Sequence, residues 1–216
     1  MKSPPSRNRR ADARRSRAAI LDAATQVLNV EPDAGLETIA GAAGVTRPTI
    51  YAHFPSREQL LLAVVEQITD EAVAAMDAIA LDADTATGTL LRMIGASAQV
   101  TERYPVLLKM ISAQPVSAEV DRDRHLPVAE RIGRVIERGR QAGEFDDKLP
   151  VDWLVASIMA LGHTAGTEQD AGRLPAAVAQ DVLRVSLLRL LGAAEPADAR
   201  GSAPSAPDAN AGDCCG

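Results

Sequence analysis

From Thr46 to His53 the chain reads Thr-Arg-Pro-Thr-Ile-Tyr-Ala-His, so Thr46, Arg47, Thr49, Tyr51 and His53 crowd hydrogen-bonding groups into eight positions. Hydroxyls, a guanidinium and an imidazole at helical spacing are groups that meet phosphate oxygens and base edges in a DNA groove. Pro48 offers only an apolar surface, which suits a thymine methyl. Catalytic chemistry has no comparable set. His53, His125 and His163 are scattered, and the sequence holds no Gly-rich phosphate loop, nucleophile elbow or His-x-x-x-His pair. No enzyme activity, cofactor or metal is expected.

The stretch needs a frame that presents it. Residues 36–57, LETIAGAAGVTRPTIYAHFPSR, hold two short helical patterns split by Gly44-Val45-Thr46. Ala40 is small enough for two helices to approach, and Gly44 is suited to the left-handed conformation that ends a helix. Ile39, Ala43, Val45 and Ile50 supply an apolar wedge; Thr46 stands as N-cap with Pro48 in the first turn, and Phe54-Pro55 stops the second helix before Ser56 caps the next. Upstream, Ile20, Leu21, Ala24, Val27 and Leu28 mark an amphipathic helix over about 12–29, which completes a helix-turn-helix domain over 12–56. Residues 1–11 read as a flexible basic arm that follows the DNA backbone or minor groove. No apolar run follows these charges, so no signal peptide is expected.

Charge divides the chain. Residues 1–57 carry nine basic and five acidic side chains, the rest fourteen and twenty-four, so a net charge of −6 conceals a basic head. A polyanion is attracted to that end alone.

The runs RAAILDAATQVL and IAGAAGVTRPTIYAHFPSREQLLLAVV resemble the DNA-binding domain of the tetracycline-repressor (TetR) family of bacterial transcription regulators, over about residues 14–65. The resemblance implies DNA contact by Thr46, Arg47, Pro48, Thr49, Tyr51 and His53, and by Arg57, the basic residue that opens the fourth helix on a phosphate. The pattern departs at helix 2. Ala34, Gly35 and Glu37 stand where the family often places a threonine pair and a basic residue; Asp33 is a substitute cap, and Glu37 is expected to point away from DNA.

Beyond this head the expectation is all-α, with a helical effector-binding and dimerisation domain over 57–192. A long fourth helix over about 57–79 leads to a linker at 81–88, then helices ending near 104, over 106–113, over 117–142 with a kink at Pro127, over 150–164 and over 176–191. The last two have more than one apolar face, which points to a homodimer interface at Leu154, Ile158, Val182, Leu183, Leu187 and Leu190. The resemblance implies a pocket for a small-molecule effector, and Met93, Tyr104, Met110, Trp153, Met159 and His163 are candidate linings, being large, adaptable or polar.

Residues 193–216, Ala-, Pro- and Gly-rich, read as a disordered tail; its Cys214 and Cys215 are the only cysteines and build neither a core staple nor a four-ligand zinc site. No segment reaches the ~20 apolar residues of a membrane span, so a cytoplasmic location follows. Together with these features, the resemblance implies a repressor on a pseudo-palindromic double-stranded operator, released by its effector. A helical interaction protein whose basic head binds RNA or an acidic partner is the other reading.

Overall fold

Helix formation starts earlier than the apolar periodicity requires. In the computed structural model, which describes residues 6–80, 85–112 and 117–193, α1 spans Ser6–Leu28. Residues 6–11, expected in a flexible arm, therefore continue the helix. After Pro5 no glycine or proline interrupts a run of Arg and Ala, both strong helix formers, and Asp12 pairs with Arg15 one turn on. The helix-turn-helix follows as α2 (Leu36–Ala42) and α3 (Arg47–His53), then α4 (Arg57–Ala80). The body adds α5 (Ala86–Thr101), α6 (Pro105–Ser112), α7 (Ala118–Gln141), α8 (Val151–Asp170) and α9 (Ala176–Leu190). All regular structure among the described residues is helical.

Two apolar cores form along α4. The first gathers Ile20, Ala24 and Leu28 of α1, Ile39 of α2, Ile50 of α3 and the α4 residues Leu60, Val64 and Ile68. It also takes in Leu107 and Ile111 of α6, so a body helix packs into the head and the boundary expected at 56–57 is not a clean division. The second core joins Met76 of α4 to Leu90 and Met93 of α5, Ile132 and Ile136 of α7, Leu154 and Ile158 of α8 and Leu187 of α9. At 1.5 Å per residue α4 is about 36 Å long. One helix is long enough to serve both cores.

Several ends differ from their expected places for local reasons. α5 begins at Ala86, inside the expected linker, because the Thr85 side chain caps it by accepting from the Gly88 N–H at 3.0 Å. The Glu144 carboxylate accepts from the N–H groups of Ala86 and Thr87 at 2.8 and 2.9 Å. Burial raises the Glu144 pKa, but these bonds and the Arg138 charge outweigh it and hold the group below its ordinary value. Pro127 lies inside α7. α8 runs past Thr164 to Asp170, where Gly172 at φ +69° ends it. Of the expected tail only Ala193 is described; Cys214 and Cys215 lie outside the described residues.

Candidate nucleic-acid interface

The α2–α3 hairpin is built around one left-handed residue. Gly44 adopts φ +66°, and the Val45 N–H reaches back to the Ala40 carbonyl at 3.0 Å. That bond closes α2 and lets the chain reverse. Ala40 is buried at the crossing, as its size demands. From α3 a single side chain, Ile50, is fully buried, while Thr46, Arg47, Pro48, Tyr51 and Ala52 are exposed and Thr49 and His53 half-buried. One apolar anchor thus holds the helix and leaves the remainder of its surface for a partner.

The exposed groups are ordered by one another. Thr46 is the N-cap of α3, yet its hydroxyl makes no capping bond and lies 2.8 Å from the Thr49 hydroxyl. Arg47 Nη1 lies 3.0 Å from Glu37 Oε1, and its guanidinium stacks 5.7 Å from the Tyr51 ring centre. Glu37, expected to point away, turns toward the recognition helix because the nearest cation is there. Both partners are about two-thirds exposed, so the pair adds only ~0–1 kcal/mol to stability. Behind them, Arg17 of α1 sits over the Phe54 ring at 5.4 Å, which brings a further cation to the end of α3.

Arg57, expected on a phosphate, has partners within the head. Its Nε donates to the Ala34 carbonyl at 3.3 Å, and Nη2 donates to the Pro32 carbonyl and approaches Met110 Sδ at 3.4 Å. The guanidinium is turned inward and holds the loop before α2, where no side chain caps the helix: Gly35, not Asp33, is the N-cap. Carbonyls of a short loop are closer acceptors for Arg57 than a phosphate outside. Sequence reasoning also misses Asn29, which joins head to body: its Nδ2 donates to the Arg103 carbonyl at 3.1 Å and its Oδ1 accepts from the N–H groups of Val106 and Leu107. An Asn at a helix end is its only signature.

Residues 20–64 match the family model described as bacterial regulatory proteins, tetR family. Over 173 residues the chain is 27% identical to the HTH-type transcriptional repressor LfrR of Mycolicibacterium smegmatis, covering 80% of this chain and 88% of that protein. The head of this chain is therefore similar to the DNA-binding segment of TetR-family regulators. A shorter match, 36% over 64 residues, is to the HTH-type transcriptional regulator EthR of Mycobacterium tuberculosis, covering 29% of this chain and 30% of that one. The crystal structure of LfrR in complex with proflavine superposes with a TM-score of 0.58 at 28% identity, over 81% of this chain and 94% of that one. A Rhodococcus sp. RHA1 protein of unknown function aligns with a TM-score of 0.68 at 20% identity, over 83% and 96%, and shares the fold. These likenesses make the protein a DNA-binding transcription regulator, and no helix among its described residues is long and apolar enough to cross a membrane.

The body residues fall into place less well. Leu154, Ile158 and Leu187, expected at a dimer interface, are buried in the second core of a single chain. Leu183 and Leu190 are half-buried against that core, and only Val182 is well exposed. An apolar residue every three or four positions marks a buried face without saying whose core buries it. The surface of the α8–α9 pair instead exposes Trp153, Val178 and Val182.

The six candidate pocket residues do not converge. Met93 is buried in the second core, while Tyr104 and Met110 pack on the first. The Tyr104 hydroxyl donates to Glu71 at 3.4 Å, and burial together with the Glu71 charge raises its pKa. Trp153 is 61% exposed, too far out to line an interior cavity. Met159 and His163 share an open groove of about 820 Å³ between α7 and α8 that Leu126, Gly133 and Val155 also line. The His125 and His163 rings meet edge to face across it at 5.3 Å.

Proposed function

We propose that this regulator is a homodimeric repressor that occupies a pseudo-palindromic operator and leaves it when a small molecule binds the body. The observation that carries the reading is the α3 surface: one buried anchor, Ile50, beneath exposed Thr46, Arg47, Pro48 and Tyr51. A seven-residue helix with so small a footprint binds weakly alone, and a two-fold dimer presents two such helices to paired half-sites. Exposed Trp153, Val178 and Val182 on α8 and α9 support self-association there, because a lone chain leaves large apolar side chains in water.

Release requires an effector that favours a head spacing unsuited to DNA. Effector and DNA then weaken each other equally, typically by ~1–3 kcal/mol. The α7–α8 groove, with Met159 and His163 in its wall, supports an effector site, and α4, shared by both cores, supports the coupling. Since LfrR was crystallised with proflavine, that compound is the first probe. A role in the cytoplasm follows from the need to reach the chromosome.

A salt titration tests the reading. The protein is titrated onto a duplex from the DNA flanking its own gene and onto an unrelated duplex of equal length. Saturable preference for the first, with affinity falling steeply as salt rises, is expected. Equal affinity for both duplexes contradicts it and favours a non-specific basic head.

A further inference from the structure

We propose that Glu37 determines sequence specificity by withholding Arg47 from indiscriminate phosphate binding and holding it for the base edge. The inference rests on the reading of α3 as a recognition helix. Its observation is the Glu37–Arg47 ion pair at 3.0 Å together with the Arg47–Tyr51 stack at 5.7 Å, both on the exposed surface of the α2–α3 hairpin.

Packing does not call for this pair. Leu36, Ile39 and Ala40 of α2 and Ile50 of α3 already bury the hairpin's apolar side. A carboxylate beside the recognition helix repels every duplex, so it serves recognition only where the repulsion is unequal. On arbitrary DNA an untethered Arg47 would swing to the nearest phosphate and displace a counterion, adding sequence-independent affinity. Tied to Glu37 and stacked on Tyr51, its guanidinium is kept from that excursion. The fork has five N–H donors, and the Nη1 bond to Glu37 leaves others for a guanine O6/N7 pair in the groove. A side chain already ordered loses less freedom when it meets that base. Glu37 thus lowers non-specific affinity more than operator affinity.

The test combines Glu37→Gln, Arg47→Ala and the double variant with Glu31→Gln, which removes an exposed charge from the preceding loop. Affinities are measured between 50 and 200 mM salt, on the site footprinted in the gene's flanking DNA and on its scrambled counterpart. Glu37→Gln is expected to tighten the scrambled duplex by roughly two- to fivefold and to steepen its salt slope by about 0.9, the value of one added phosphate contact. Operator affinity is expected to change less than about twofold, so the specificity ratio falls, and the effect should vanish in the Arg47→Ala background. Equal tightening of both duplexes, an effect matched by Glu31→Gln, or one that persists without Arg47 overturns the proposal in favour of bulk charge. Equal weakening of both, with a lower melting temperature, overturns it in favour of a structural role. A wild-type protein without operator preference would overturn the recognition reading itself, and that result is separate from any behaviour of the variants.

Discussion

Two helical hairpins in this molecule turn on glycines of nearly the same geometry and present opposite chemistry. In α2–α3, Gly44 at φ +66° joins two seven-residue helices whose outer surface carries Thr46, Arg47 and Tyr51. In α8–α9, Gly172 at φ +69° follows a 20-residue helix and precedes one of 15, and Trp153, Val178 and Val182 are its exposed large apolar side chains. The backbone device is shared, and the exposed side chains differ. A polar, cationic face suits a phosphate-lined groove, whereas an apolar face suits a second copy of itself.

Adding charge to the second hairpin should break the comparison most severely. Val178→Glu with Val182→Glu is expected to give monomers by light scattering and to weaken operator binding by roughly 10²-fold or more, since paired engagement is lost. An unchanged mass would move the interface off α9. In the first hairpin, Tyr51→Ala should leave mass and melting temperature intact while costing roughly tenfold in operator affinity, about 1.4 kcal/mol. Arg57→Ala sharpens the distinction, because its guanidinium serves the loop before α2. It should lower the melting temperature of the head and, at temperatures where the head is folded, change DNA affinity less than Arg47→Ala does.

Gly44→Ala and Gly172→Ala compare the turns directly. Nothing lies within 4 Å of the added Cβ at either site, so the cost is conformational, about 1–2 kcal/mol each. Thermal unfolding followed by circular dichroism would show it, and unequal losses would mean that the turns carry different strain. The smallest effect is acid-dependent. Because the Glu144 pKa is depressed on folding, its contribution is present above the ordinary value of 4.5 and is lost as pH falls through the folded value. Glu144→Gln should therefore reduce stability near neutral pH and flatten its decline below about pH 4.5, as chemical denaturation would show.

The first hairpin was legible because its rules are local. Gly44 signals a left-handed turn, Ala40 a close approach and Thr46-Arg47-Pro48 a helix start, and all lie within nine residues. Arg57 and Glu37 were not legible, because their partners, the Pro32 carbonyl and Arg47, are set by how the loop and hairpin fold back. The body was legible as helices and not as a site. Leu154, Ile158 and Leu187 have the spacing of an apolar face, but whether that face meets α7 or a second subunit depends on helix rotation, which periodicity leaves open. The early start of α1 shows the converse, since charge alone marked residues 6–11 as an arm although their helix propensity is high.

A cleavage-protection footprint on the DNA flanking the gene, run with wild type and Arg47→Ala, tests most directly whether the α3 surface reads DNA as one half of a dimer. Two symmetric protected half-sites with centres about 10 base pairs, or a multiple, apart are expected, and their loss in the variant. Protection that is uniform along the fragment, or unchanged without Arg47, would contradict it.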